Sequence, residues 1–312
     1  MEKLSVIIAT IDDSIATNLT MAQIIMQLES DEIPYEIILV DNGSNDDDKE
    51  NLNTFLRFHQ EFPIRYFEHS IKGTIPPHSF GVTKAEGKYI TLPDPHLTFS
   101  PHYFRIMIKT LQDLKNKDVE VVFSPFGVGS MAKKGGDYVC GSDLMLPNPF
   151  GKTSSIGPAC KMFSKPFPVL SNTMSSCIME KEWMLKIGNM FPEAFEIAGG
   201  YTAESLLIGI TTWMFGKKCY IQPKVVVEHP VYRCKAGARS ANTYLSMATG
   251  AYIIGGDNYL KDMPQQYGEY LPGQMEEIKK LSEKAREYIN KNTKFTLKEL
   301  IDNWEKIKNE KM

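Results

Sequence analysis

The stretch Lys88-Tyr89-Ile90-Thr91-Leu92-Pro93-Asp94-Pro95-His96 decides how the chain is read. Residues 88–92 form an apolar run that suits a strand. The run ends in a carboxylate and an imidazole two residues apart. Side chains of an extended chain alternate with period two, so Asp94 and His96 leave the strand's C-terminal end on the same side. The C-terminal edge of an open α/β sheet is where ligands bind. One oxygen and one nitrogen ligand suit Mn²⁺ or a similar divalent ion such as Mg²⁺. A divalent ion at that edge points to a diphosphate.

Working outward, the upstream sequence supplies the sheet this strand needs. Residues 4–10, LSVIIAT, read as a strand buried on both faces. Residues 14–28 read as a helix with Ser14 as N-cap and Ile15, Leu19, Ala22, Ile24 and Ile25 on one face. Residues 35–40 form a second buried strand, which ends in the polar loop Asp41-Asn42-Gly43-Ser44. Asp46, Asp47 and Asp48 then open a helix, where the dipole favours negative charge. Residues 64–68 are a third strand, followed by the loop Ser70-Ile71-Lys72-Gly73-Thr74 and a short helix closed at Gly87. Strand–helix–strand–helix–strand predicts a parallel sheet built by right-handed crossovers.

Downstream, Ser100-Pro101 predicts a helix start ahead of the stripe Phe104, Met107, Ile108 and Leu111, and residues 119–123 another strand. Residues 124–172 are rich in Gly, Pro, Ser and Lys with little periodicity, which marks a functional segment. Residues 174–179, 219–222 and 225–228 read as short strands, the last ending at His229-Pro230. Residues 231–242, VYRCKAGARSAN, carry Arg233, Lys235 and Arg239 and no acidic residue. Residues 274–291 form an amphipathic helix with Met275, Ile278, Leu281, Ala285 and Tyr288 on one side. Thr296 and Glu299 form a capping box for a last helix. The fold class predicted is therefore α/β, a mostly parallel sheet flanked by helices over residues 1–256, with a helical extension over 257–312. That extension could cap the domain or make a homodimer.

Bulk properties narrow the function. A net charge of −3 argues against a large nucleic-acid footprint. Five cysteines, an odd number without a CxxC pair, favour free thiols in a reducing compartment over disulfides or zinc. No stretch is long and apolar enough for a membrane helix and no cleavage signal follows the N-terminus, so a cytoplasmic protein is expected.

The motifs resemble a known family. Residues 4–10, Glu36-Ile37-Ile38-Leu39-Val40-Asp41-Asn42-Gly43-Ser44, Ala85-Glu86-Gly87-Lys88-Tyr89-Ile90 and Asp94-Pro95-His96 resemble family 2 glycosyltransferases of the Rossmann-like GT-A fold, which usually carry Asp-x-Asp at the last place. The Asp-x-His variant is similar to the polypeptide N-acetylgalactosaminyltransferases. So are Gly199-Gly200 followed by Glu204, Trp213-Met214-Phe215-Gly216, Ile221-Gln222-Pro223 and His229-Pro230-Val231-Tyr232-Arg233. Tyr201 departs from that family, which has an acidic residue directly after its Gly-Gly.

The resemblance implies that Asp94, His96 and His229 hold Mn²⁺. It implies nucleotide contacts for Asp41, Thr10 and Asp12, set against loop capping by the two carboxylates. Lys72 and Gly73 could approach the nucleotide, and Arg233 could pair with the diphosphate. Glu204 is a candidate catalytic carboxylate facing the acceptor, set against a helix-start carboxylate favoured by the dipole, and Asp94 counts as catalytic through the metal. The expected donor is a UDP-sugar of N-acetylgalactosamine, galactose or glucose, transferred with retention to a glycan, protein, small molecule or modified DNA base. Rival readings are a nucleotidyltransferase that makes nucleotide sugars, and a non-catalytic nucleotide- or sugar-binding module. Ile11-Asp12-Asp13-Ser14 lacks the glycine and basic residue the first rival would carry.

Overall fold

A computed structural model describes residues 1–128, 142–144, 153–155, 164–200, 203–229, 239–261 and 272–309. Val- and Ile-rich segments form the centre of the fold, as buried parallel strands require. Strand β1 (Leu4–Thr10) lies between β2 (Tyr35–Asp41) and β4 (Tyr89–Thr91) and is parallel to both. Strand β3 (Ile64–Glu68) extends the sheet beyond β2. Helices α1 (Ser14–Ser30), α2 (Asp46–Phe58) and α3 (Ile75–Lys84) are the crossovers.

The chain then runs through β5 (Thr98–Phe99), α4 (Tyr103–Leu114), β6 (Val119–Phe123) and β7 (Phe126–Val128). A short hairpin, β8 (Ser142–Leu144) with β9 (Thr153–Ser155), precedes β10 (Phe167–Pro168) and β11 (Cys177–Glu180). Next come α5 (Lys181–Lys186), α6 (Ala203–Met214), β12 (Lys218–Ile221) and β13 (Val227–His229). The main sheet has eight strands in the order β10-β12-β6-β11-β4-β1-β2-β3. Its pairs are parallel except those made by β11 and by the edge strand β10.

Alternation divides the core in two. Ile7, Ile38, Val40, Ile90 and Phe123 face one buried cluster, and Val6, Ile8, Ile37, Leu39 and Val122 face the other. Trp183 and Trp213 pack in the core, as expected of large apolar side chains.

Helices α7 (Arg239–Gly255), α8 (Asp257–Lys261), α9 (Pro272–Asn292), α10 (Leu297–Asp302) and α11 (Trp304–Asn309) complete the described chain. The predicted extension spends its apolar side inside the molecule. Met275, Ile278, Ala285 and Ile289 join the same cluster as Ile7 and Ile38. Trp304 stacks edge-on against Trp213 with ring centroids 5.0 Å apart. The N–H groups of Lys294 and Phe295 both donate to the Met214 carbonyl. The capping box forms as predicted, with the Glu299 N–H donating to Thr296 Oγ1 and the Thr296 N–H to Glu299 Oε2. Thr296→Ala is expected to cost about 1 kcal/mol. Urea denaturation checks it, as a lowered midpoint with an unchanged slope.

Two helix starts differ from expectation. In α1 the N-cap is Asp13, not Ser14, and Ile15 and Leu19 are 72% and 65% exposed. The buried side instead carries threonines with partners in neighbouring loops. Thr17 Oγ1 lies 2.8 Å from Thr10 Oγ1, and Thr20 Oγ1 accepts from the Leu97 N–H. Helix α4 begins at Tyr103 after a left-handed His102, rather than at Ser100-Pro101. Ser100 is drawn away because its N–H donates to the Val226 carbonyl and its hydroxyl accepts from the Val226 N–H.

Candidate functional site

A second, three-stranded sheet assembles the site. Strand β5 starts two residues after His96 and pairs antiparallel with β13, Phe99 opposite Val227 and Thr98 opposite Glu228. Strand β7 pairs with the other side of β13. This pairing brings His229 beside His96 across 133 positions of sequence, with Nε2 to Nε2 2.8 Å and the rings perpendicular. Asp94 Oδ2 lies 3.8 Å from His229 Nε2 and accepts from Ser175 Oγ at 2.6 Å. One ligand atom from each of Asp94, His96 and His229 lies within 4.8 Å of the others.

The side chains of His96, His229 and Asp94 are 12%, 24% and 26% exposed, sheltered yet open to a ligand. Two imidazole nitrogens and a carboxylate oxygen converge on one point. That donor set fits a divalent transition ion. Among the described residues, no other group of His, Cys, Asp and Glu converges in this way. The sequence-predicted triad is thus brought together.

The residues assigned to the nucleotide are placed differently from one another. Asp41 is fully buried, with Oδ1 accepting from the Ser44 N–H and Oδ2 from the Tyr66 hydroxyl. Thr10 is 2% exposed and bonded to Thr17. Asp12 has a left-handed backbone, and its Oδ1 accepts from both the N–H and the side-chain amide of Asn45. In the structure these three groups are taken up in shaping the loops at the ends of β1 and β2. Lys72 is exposed. Gly73 does make a close approach, but to protein backbone. A Cβ there would lie 2.1 Å from the Gly199 carbonyl oxygen, at φ +145°. Arg233, Lys235 and Tyr201 lie outside the described residues.

Sequence reasoning passed over four groups. Asn42, buried at the end of β2, holds the 69–73 loop: its Nδ2 donates to the His69 and Ile71 carbonyls and its Oδ1 accepts from the Gly73 N–H. Ser175 holds Asp94. Asp13 contacts His96, with Oδ2 2.7 Å from Nδ1. His78 is 1% exposed, and burial lowers its pKa although the Asp94 charge opposes that shift. An Asn directly after a buried strand was the only one of these with a visible sequence signal.

Glu204 stands in the first turn of α6, and its Oε2 is buried without a hydrogen-bond partner among the described residues. Burial pushes its carboxyl up to about 8, and the Asp94 charge adds to the shift. Its own backbone N–H and the nearby Thr74 hydroxyl oppose it. The group is therefore largely neutral at pH 7. Because its folded value is raised, the native state binds the proton more tightly than the unfolded chain. The stability this contributes is present below the ordinary value of 4.5 and is lost as the pH rises from there through about 8. Glu204→Gln is uncharged throughout. It is expected to flatten that fall, so that the Tm of wild type declines relative to the variant between about pH 4.5 and 8.

Comparison with known proteins bears on this geometry. The family model described as "Glycosyl transferase family 2" matches residues 5–166. No curated protein matches the chain in sequence. Among solved structures, one described as GalNAc-T7 with UDP, GalNAc and Mn²⁺ superposes with a TM-score of 0.67 at 16% identity, over 99% of this chain and 58% of that one. S. aureus TarS superposes with a TM-score of 0.52 at 14% identity, over 82% of this chain and 40% of that one. The chain thus spans under two thirds of either, and at these identities the likeness carries the fold alone. That fold is the GT-A arrangement expected from the motifs.

Proposed function

The chain belongs to glycosyl transferase family 2, and on that premise we propose that it is a metal-dependent glycosyltransferase that moves a hexose from a UDP-sugar to an acceptor with retention of configuration. The observation that carries this reading is the convergence of Asp94, His96 and His229 on one point at the sheet's C-terminal edge. These three residues would hold Mn²⁺, which supplies neutralisation of the diphosphate and of the charge that develops on it as it leaves. The GalNAc-T7 structure contains UDP, GalNAc and Mn²⁺. That favours a UDP-sugar donor, with N-acetylgalactosamine first among N-acetylgalactosamine, galactose and glucose. No helix among the described residues is long and apolar enough to cross a membrane.

The protein's own groups divide the work. Ser175 fixes the Asp94 carboxylate, and Asn42 fixes the loop that reaches Gly199. Glu204 favours retention. A carboxyl kept neutral by burial is a poor general base, but it can donate a hydrogen bond to a sugar or acceptor hydroxyl. In the transfer the bond from C1 to the phosphate oxygen breaks with its electron pair leaving on UDP. The acceptor oxygen bonds to C1, and its proton passes to the departing phosphate. Arg233 is assigned to the diphosphate, Lys72 and Gly73 to the nucleotide, and Asp41, Thr10 and Asp12 to the nucleotide side, where they act through the loops they brace.

The test is UDP release from a panel of UDP-sugars with and without Mn²⁺. Release from one sugar only when Mn²⁺ is present would support the reading. Release of pyrophosphate from a nucleoside triphosphate and a sugar phosphate would replace it with nucleotidyl transfer. Binding of UDP or sugar without any turnover would replace it with a binding module.

A further inference from the structure

We infer that Asp13 is a positioning residue for the metal site: its carboxylate holds His96 in the Nδ1–H tautomer and so reserves Nε2 for the ion. The inference rests on the metal reading above and adds to it a residue outside the triad.

The first observation is what Asp13 does not do. It stands at the N-cap of α1, where an aspartate ordinarily accepts from the N–H groups of its own helix. Here its side chain makes no capping bond. The Ser14 N–H is served from another helix, by Asp48 Oδ1 at 2.8 Å. Only the Asp13 backbone carbonyl serves α1, accepting from the Thr17 N–H and hydroxyl. The carboxylate is diverted to His96 Nδ1 at 2.7 Å.

The second observation is the geometry of the imidazole. A neutral His has one N–H and one lone pair. A carboxylate can only accept, so the nitrogen facing Asp13 carries the hydrogen and Nε2 keeps the lone pair. Nε2 is the atom that faces His229 Nε2 at 2.8 Å, within the cluster that includes Asp94. The turn that delivers Asp13 is itself braced. Asp12 adopts φ 50°, its Oδ1 accepts from Asn45 and its N–H donates to Ser44 Oγ. Carboxylates behind metal-bound histidines fix tautomer and ring orientation and strengthen the ligand, and losing one typically costs 10- to 100-fold in metal affinity.

The test uses the full chain and Mn²⁺ alone, titrated by EPR or calorimetry, for wild type, Asp13→Ala and Asp13→Asn. Asp13→Ala is expected to weaken Mn²⁺ binding about 10- to 100-fold with a small fall in Tm, because the side chain caps no helix N–H and its loss removes only the bond to His96. Asp13→Asn, whose amide oxygen still accepts from Nδ1–H, is expected to recover part of the loss. Long-range ¹H–¹⁵N spectra of the histidine-labelled apo protein supply an independent signature. His96 should be protonated at Nδ1 in wild type and lose that preference in Asp13→Ala. Equal Mn²⁺ affinity in wild type and Asp13→Ala would overturn the inference while leaving the triad intact. An Nε2–H tautomer of His96 in wild type would overturn it as well. Wild type that binds no Mn²⁺ would instead bring down the metal reading and the inference with it.

Discussion

Replacing His229 with alanine is expected to lower Mn²⁺-dependent UDP release by about 10²- to 10³-fold, on the basis that the ion supplies several kcal/mol of charge stabilisation. The effect is large because, among the described residues, Asp94 and His96 are the metal-ligating groups that converge with His229. His229 Nε2 is 2.8 Å from His96 Nε2 and 3.8 Å from Asp94 Oδ2, so truncation leaves one nitrogen and one carboxylate ligand. His229 ends a three-residue strand and is partly exposed. Its loss should therefore reach the metal far more than the fold. Paired measurements check this: Mn²⁺ affinity and UDP release should fall together while the Tm holds. A variant that still releases UDP at the wild-type rate would remove His229 from the site.

Gly73→Ala is expected to destabilise the whole protein by about 2–6 kcal/mol, combining backbone strain and overpacking of about 1–3 kcal/mol each. At φ +145° an L side chain is strained, and the added Cβ would lie 2.1 Å from the Gly199 carbonyl oxygen. That same carbonyl accepts from the N–H groups of Thr74 and Ile75. The loop after β3 and the turn before α6 therefore meet backbone to backbone, with no side chain to yield. Separating them would also displace Glu204, in the first turn of α6. A Tm lowered on the order of 10 °C together with reduced turnover is the predicted result. A variant with wild-type Tm would show that the two loops can part without cost.

The parts of this fold that were legible in the sequence are those written in local periodicity. Strands β1 and β2 could be read because each is a continuous apolar run, and α2 because Asp46, Asp47 and Asp48 mark its first turn. Asp94 and His96 could be paired by reading residues 88–92 as a strand, although the strand ends at Thr91 and the two side chains are presented by the turn that follows it. His229 could be tied to them only through a family resemblance, because the link is strand β5, two residues long and without any period of its own.

The misreadings have one cause, which is polar groups satisfied across long stretches of chain. Thr17 and Thr20 face inward because Thr10 and Leu97 supply their partners, so a hydrophobic count placed Ile24 and Ile25 of α1 correctly but Ile15 and Leu19 on the wrong side. For Asp41 and Asp12 the sequence left nucleotide contact and loop capping both open, and the capping partners, Tyr66, Ser44 and Asn45, could not be named from it. The close approach that Gly73 suggested is made to the Gly199 backbone, a partner distant in sequence that no local pattern names. The raised pKa of Glu204 comes from burial and from the charge of Asp94, distant in sequence, and no local pattern announces it.

The most direct test of the metal centre is a crystal of the full chain grown with UDP and Mn²⁺ and measured at the manganese absorption edge. The predicted result is a single anomalous peak bonded to the Asp94 carboxylate, His96 Nε2 and His229 Nε2, and bridged to the UDP phosphates. UDP bound with no peak at this point, or a peak held by other residues, would contradict it.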